Sequence, residues 1–203
     1  MKLIIHITLL VLIVSASAFA QQNTAEAKPK LYPNRILMIE PGIGIHTNFG
    51  TDFLITNLVQ WNPRGNLSLA AHTSFNINNI TQREFNHIRT NYNYSFNQKI
   101  GAGLTVYREK SAHTFLAMIG FKYTAFRETL ENPNLDKVST TISAVSPDYG
   151  IMYSLKKGFK KYFFSYRMYV PLYPWPVKGS DINYTDGNLN NIALEVALGI
   201  KLK

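Results

Sequence analysis

The chain of 203 residues contains no cysteine. This absence excludes a disulfide framework and the attachment of lipid to a cysteine. Charge is also scarce: charged residues make up 16% of the sequence, with 12 Asp and Glu against 21 Lys and Arg. No helical periodicity of apolar residues follows the first 20 positions. The chain is otherwise basic and rich in aromatic residues, and its pattern predicts mainly strands.

The N-terminus has the pattern of a cleavable secretory signal peptide. Lys2 is followed by the apolar run "LIIHITLLVLIV" and by small residues up to Ala20, which predicts a signal over residues 1–20. The apolar run is short for an uncleaved spanning helix. Residues 21–34 are polar and contain two prolines, which predicts a flexible lead-in. Residues 35–203 are then predicted to form one domain.

Runs with a two-residue period fill this domain, separated by breaks rich in Gly, Pro, Asn and Lys. The closing run "NIALEVALGIKLK" alternates strictly, with Leu194, Val196 and Leu198 on one face and Glu195 and Gly199 on the other. The nine candidate strands are "RILMIEPGIGIHTNFG", "DFLITNLVQW", "NLSLAAHTSFNI", "HIRTNYNYSF", "IGAGLTVY", "FLAMIGFKYTAF", "VSPDYGIMYSL", "YFFSYRMYV" and the closing run. The domain is therefore all-β.

A closed antiparallel barrel needs an even number of strands, so one of the nine candidates is miscounted. The stretches "NPRG", "NQK" and "KKGFK" predict tight turns on one side of the barrel. The count of strands between the last two turns places the miscount between Tyr107 and Thr141. We therefore predict an up-and-down barrel of eight strands, with ten as the alternative.

The less apolar face decides between a soluble barrel and a membrane barrel. It consists mostly of Gly, Ala, Ser, Thr and Asn, whereas a face in water would carry many long charged side chains. The apolar face is therefore predicted to contact lipid and the other face to line the lumen. The charged residues predicted to pair within this lumen are Glu40, Arg89, Lys122, Arg167 and Glu195. Aromatic residues near strand ends are predicted to form interfacial girdles: Trp61, Tyr92, Tyr94, Phe96, Tyr162, Phe164, Tyr173 and Trp175.

In this pattern the chain resembles the small bacterial outer-membrane β-barrel proteins of the OmpX and OmpW kind and the outer membrane protein beta-barrel domain group. The resemblance covers the signal peptide and nearly all of residues 35–203. It implies insertion in the outer membrane of a Gram-negative bacterium by the assembly machinery, as a monomer, with a structural or ligand-binding role at the surface. Members commonly end in an aromatic residue, whereas this chain ends in Leu202 and Lys203.

Two alternative functions remain. A narrow pore for small solutes is one, because interior side chains nearly fill a barrel of eight strands but leave more space in one of ten. The other is an acyl hydrolase, because His72, Ser74 and Glu84 are similar to the His-x-Ser plus Glu arrangement of outer-membrane lipid A deacylases. The alternation turns His72 and Ser74 toward the lumen, away from a lipid substrate. No enzymatic activity, cofactor or metal is therefore predicted.

The basic excess indicates an anionic partner. Lys156, Lys157, Lys160 and Lys161 surround one predicted turn, and we expect anionic lipid head groups or lipopolysaccharide phosphates to bind there. A solvated turn is the alternative. Nucleic acid is not predicted, because an exported protein seldom meets it and no basic stripe is interleaved with aromatic residues.

Overall fold

The computed structural model describes residues 36–46, 52–77, 84–85, 88–130, 136, 138–158, 161–177, 187–188 and 190–202. The predicted signal peptide and lead-in lie outside these residues. Within the described part of the chain, no helix is long and apolar enough to cross a membrane.

The described residues form eleven strands: β1 (Ile36–His46), β2 (Asp52–Asn62), β3 (Leu67–Ile77), β4 (Glu84–Phe85), β5 (Ile88–Tyr107), β6 (Ser111–Leu130), β7 (Val138–Lys157), β8 (Tyr162–Pro171), β9 (Pro176–Val177), β10 (Gly187–Asn188) and β11 (Ala193–Lys201). The eight long strands form a closed antiparallel barrel in the order β3-β2-β1-β11-β8-β7-β6-β5, which β3 closes by pairing with β5. The first and last strands, β1 and β11, pair from Met38↔Lys201 to His46↔Ala193. β4 extends the sheet beside β5, and β9 pairs with β10.

The prediction of eight strands is confirmed, but the position of the miscount is wrong. The stretch "NQK" is not a turn: residues 97–99 lie within β5, which joins two of the nine candidates into one strand. The turn-rich end of the barrel instead has residues 63–66, 108–110 and 158–161 between its strands. Gly65 (φ 55°) and Gly158 (φ 83°) provide the left-handed backbone conformation in the two turns that the sequence does predict. We call this the turn end and the opposite side the loop end.

The barrel is apolar outside and mixed inside. Leu194, Val196 and Leu198 are 41–48% exposed on the outer face, as the alternation predicts, and Ile119 is 63% exposed. The inner face carries buried polar and charged residues together with apolar ones, of which Met152 is fully buried. A barrel with this distribution is stable in a hydrocarbon environment, because closure satisfies the backbone groups and the apolar side chains meet lipid.

Glycine occupies inner positions where strands approach closely. A Cβ atom on Gly103 would lie 1.8 Å from the backbone oxygen of Phe115, and one on Gly120 would lie 1.9 Å from the backbone oxygen of Gln98. Any side chain at either position would require the backbone to shift.

Three neighbouring strands are much longer than the rest. β5, β6 and β7 have 20 residues each, whereas the other barrel strands have 9 to 11. At about 3.4 Å per residue and about 45° tilt, 11 residues cover about 26 Å of membrane, close to the apolar band of about 25 Å. By the same reckoning 20 residues cover about 48 Å. Since short turns align the strands at one end, the excess projects from the loop end as a three-stranded extension.

Candidate functional site

A chain of buried ion pairs crosses the barrel interior. Lys156 Nζ on β7 lies 2.7 Å from Glu40 Oε1 on β1, and Arg167 Nη1 on β8 lies 3.8 Å from Glu40 Oε2. Arg167 Nε lies 2.8 Å from Glu195 Oε2 on β11, and His72 Nε2 on β3 lies 3.0 Å from Glu195 Oε1. The ion-pair chain thus joins five strands through side chains that are buried.

Arg167 is the centre of the ion-pair chain. Its position on β8 is directly opposite Glu195 on β11, so register alone brings the two charges together. Its guanidinium also donates to the backbone oxygen of Glu40 (3.0 Å) and to Thr56 Oγ1 (2.7 Å). A buried charge is costly unless it is paired and hydrogen-bonded, and the planar fork of arginine meets several acceptors at once. Arg167 therefore fixes three strands around one side chain.

A second charged cluster lies nearer the loop end. Lys99 Nζ on β5 lies 2.8 Å from Asp148 Oδ2 on β7, and it is 3.8 Å from the centroid of the Tyr169 ring. The Asn97 amide and the Tyr169 hydroxyl also donate to the Asp148 carboxylate. The Asp148 carboxylate thus has donors from two strands, β5 and β8.

The space between the two charged groups is nearly closed. A cavity of ≈ 10 Å³ lies there, and members of both groups line it together with His46, Ser74, Lys122 and Asn190. Such a volume holds about one water molecule. The described side chains around this cavity therefore leave little free space at this level of the barrel.

The turn end of the lumen is also filled. Gln60 Nε2 donates to Asn62 Oδ1 and to Thr105 Oγ1, both at 3.0 Å, and Ser68 Oγ is 2.6 Å from Thr105 Oγ1. Thr114 extends this network. Apolar side chains pack beside it: Ile36, Met38 and Phe163, with Tyr107 against them. Described side chains therefore fill the turn end of the interior as well as the region of the two charged groups.

Most of the charged residues predicted to line the lumen are on the inner face. Glu40, Lys122, Arg167 and Glu195 are buried on the inner face. The side chains of Glu84, Arg89 and Tyr92 lie outside the described part of the structure.

Outward-facing aromatic residues occur toward both ends of the barrel. Of the predicted girdle residues, those that are exposed are Trp61, Tyr162 and Phe164 toward the turn end, and Tyr94, Phe96 and Tyr173 toward the loop end or the middle of the wall. Trp175 is half-buried at the loop end, in edge-to-face contact with Tyr173. Tyr94 and Phe96 do not flank a turn, because the residues after them continue β5. Tyr94 is instead level with Ile77, where β3 ends at the loops.

The predicted acyl-transfer residues do not form an activated nucleophile. His72 and Ser74 are both buried inside the barrel, and the carboxylate that His72 contacts is that of Glu195. Among the described side chains no hydrogen bond joins His72 to Ser74. A serine nucleophile needs a base within hydrogen-bond reach, and the described hydrogen bonds give Ser74 no such base. The described residues also contain no group of three His, Asp or Glu side chains that could hold a metal ion.

Sequence reasoning missed three buried ionic residues, Lys99, Asp148 and Lys156. The sequence pattern predicts a turn at Lys99 and a basic turn around Lys156, but the structure buries both side chains and pairs them with Asp148 and Glu40. For Lys156 the expectation of a lipid-facing cation is therefore wrong. Lys157 and Lys161 are exposed at the turn, and Lys160 lies outside the described residues.

Comparison with known proteins identifies the fold. No protein-family model and no curated protein matches the chain. Among solved structures, the chain is similar to Ail, the attachment invasion locus protein of Yersinia pestis, with a TM-score of 0.51 and 8% identity over 83% of this chain and 97% of that one. It is also similar to a major outer membrane protein from Thermus thermophilus, with a TM-score of 0.50 and 10% identity over 83% and 99%. The fold is that of a small eight-stranded outer-membrane β-barrel.

Proposed function

We propose that this chain is an integral protein of the outer membrane of a Gram-negative bacterium, where a closed, non-enzymatic barrel holds the three-stranded extension at the cell surface for a binding partner. The observation that carries the proposal is the difference in length between β5, β6 and β7 and the other five barrel strands. A barrel needs no strand longer than the membrane is thick, so the extra length of β5, β6 and β7 must serve a purpose other than crossing the membrane.

One edge of the extension is open to a partner strand. β7 pairs with β8 only from Gly150 to Lys157, and no described strand pairs with that side of β7 beyond Gly150. On that side, Leu172 N donates to Tyr149 O and Asn190 Nδ2 donates to Pro147 O, both at 2.9 Å. Proline fits here because its missing N–H would face this edge, which has no described partner strand.

The backbone beyond Pro147 continues the same pattern. Peptide groups two residues apart point to the same side of a strand, so Val145, Ser143, Thr141 and Ser139 direct their N–H and C=O groups to the open edge. An extended peptide can add to such an edge by main-chain hydrogen bonds. The partner class that fits this edge is therefore a polypeptide in strand conformation.

The filled interior supports this role over a pore. The ion-pair chain, the cluster around Asp148 and the turn-end network place contacting side chains across the described lumen, which leaves little room for solutes. Planar bilayers that contain the refolded protein should show no stable unitary conductance. A reproducible open state would favour the pore instead.

Labelling of single cysteines tests the location and orientation. The chain has no cysteine of its own, so Ser143→Cys in the extension and Glu109→Cys at the turn end each carry one thiol, and both positions are exposed. A membrane-impermeant maleimide should label Ser143→Cys on intact cells, and Glu109→Cys only after permeabilisation. The opposite result, or equal labelling of both, would contradict the proposed orientation.

The open edge is tested by a matched pair of variants. Ser143→Pro removes one edge N–H, while Ser143→Ala removes only the hydroxyl. Purified protein in detergent is applied to an array of short synthetic peptides, and the bound spots are compared. Peptides that bind the unmodified protein should bind Ser143→Ala equally and Ser143→Pro weakly. Equal binding to all three would show that the edge is not used.

A further inference from the structure

Exposed cations are present around the whole turn end of the barrel. Those of the described residues are Arg64, Arg108, Lys110, Lys157 and Lys161, and Lys201 is half-buried beside them. Glu109 is the single exposed acid among the described residues of this end. We call these six basic residues the cationic ring.

The cations are distributed rather than gathered in one patch. The three turns join β2 to β3, β5 to β6 and β7 to β8, and Lys201 lies near the end of β11, beside β1. In the barrel order, the three turns and Lys201 occur one after another at intervals of two strands. Each quarter of the circumference therefore has at least one cation. A charge distribution of this kind fits a planar anionic surface that surrounds the barrel better than a single docked macromolecule.

The depth of the cationic ring also fits a lipid surface. Trp61 is 45% exposed on the outer wall just before the turn that contains Arg64. Lys161 adjoins Tyr162, which is 57% exposed, and its Nζ lies 5.8 Å from the Tyr162 ring centroid. Aromatic side chains sit at the boundary of acyl chains and head groups, and Lys and Arg reach outward from it to the phosphates.

We propose that the cationic ring binds the phosphate groups of anionic glycerophospholipids in the leaflet that surrounds the turn end. The inference rests on the proposed membrane insertion, and it concerns a different end of the molecule from the extension. With the loop end at the cell surface, this leaflet is the one that faces the periplasm. Lys156 takes no part, because it is buried against Glu40.

The two tryptophans provide a reporter at each end. Trp61 lies at the turn end and Trp175 at the loop end, and the chain has 2 tryptophans in all. Trp175→Phe leaves only the turn-end reporter, and Trp61→Phe leaves only the loop-end one. Each chain is refolded into phosphatidylcholine vesicles with a fixed minor fraction of either brominated phosphatidylglycerol or brominated phosphatidylcholine, and the quenching of tryptophan fluorescence is measured.

The cationic ring predicts a lipid preference at one end only. Because each Lys or Arg near an anionic surface favours binding by a factor of about five, brominated phosphatidylglycerol should be enriched about twofold or more around Trp61. It should show no enrichment around Trp175. High salt should abolish the preference, since it screens exposed charges. Replacement of Arg64, Arg108, Lys110, Lys157 and Lys161 by Gln should have the same effect.

The outcomes separate the two proposals. Equal quenching by both brominated lipids at Trp61, or a preference that persists in high salt, would overturn the lipid-binding inference while the barrel itself stands. The salt comparison needs no charge variant, so it decides even if the quintuple substitution does not fold. If no vesicle gives a species whose gel mobility changes on boiling, membrane insertion fails and the inference fails with it.

Discussion

Arg167→Met is the most direct test of the ion-pair chain inside the barrel. The substitution keeps an apolar stem of similar length but removes the contacts with Glu195 (2.8 Å), Glu40 (3.8 Å) and Thr56 (2.7 Å). Removal of one member of a buried ion pair costs about 3–5 kcal/mol, because the partner stays buried without compensation. Two carboxylates lose a partner here.

Each carboxylate nevertheless keeps a second partner, since Lys156 remains at Glu40 and the His72 ring stays within hydrogen-bond distance of Glu195. We therefore expect a loss of about 3–5 kcal/mol in the free energy of unfolding rather than twice that amount. The assay is reversible urea unfolding in vesicles of one fixed composition, followed by tryptophan fluorescence. The gel mobility of unboiled samples gives the folded fraction independently.

Two further variants make the result specific to the ion pair. Arg127→Met removes an exposed arginine of the extension and should change stability by no more than about 0.5 kcal/mol. Adding Glu195→Gln to Arg167→Met should recover about 1 kcal/mol or more, because the two positions are coupled. A loss below about 1 kcal/mol for Arg167→Met would refute the argument, since it would mean that water solvates the interior charges.

Further predictions concern the wall and the interior. Gly120→Ala should destabilise the barrel by about 1–3 kcal/mol in the same urea assay, because the new Cβ would meet the backbone oxygen of Gln98; unchanged stability would mean that β5 and β6 are further apart. Val196→Arg, on the lipid face, should cost about 2–4 kcal/mol, whereas Leu202→Arg, beyond the end of β11, should cost much less. Ser74→Ala should leave lipid A acylation in cells unchanged when extracted lipid A is examined by mass spectrometry, and a change would revive the hydrolase hypothesis.

The side of the wall on which a residue lies was predictable, because it depends only on a two-residue period along one strand. At "NQK", where the predicted turn is wrong, the same two-residue period indicates one continuous strand. Phe96, Gln98 and Ile100 lie on one face, so the alternation passes through "NQK" without a change of phase. Asparagine and lysine indicated a turn at this point, but both Asn97 and Lys99 project into the lumen, where they contact Asp148.

The partners inside the lumen were not predictable from local pattern. Glu40 and Lys156 are brought together by the closure of the barrel, and so are Glu195 and His72, whose positions differ by 123 in the sequence. The stagger between strands decides such pairs, and composition does not specify it. The position of Leu58 was not predictable either. It is an apolar residue on the inner face of β2, where it fills the interior and is fully buried.

The pairing of β1 with β11 has a consequence for the way the protein is made. Every other neighbour in the wall follows its partner closely in the chain, but Ile39 must find Ile200 across nearly the whole domain. Until the final strand has been synthesised, both ends of the growing sheet are open edges that can join other chains. Folding during synthesis therefore gives no protected intermediate, and the polypeptide has to be kept unstructured until its last strand is available to complete the cylinder.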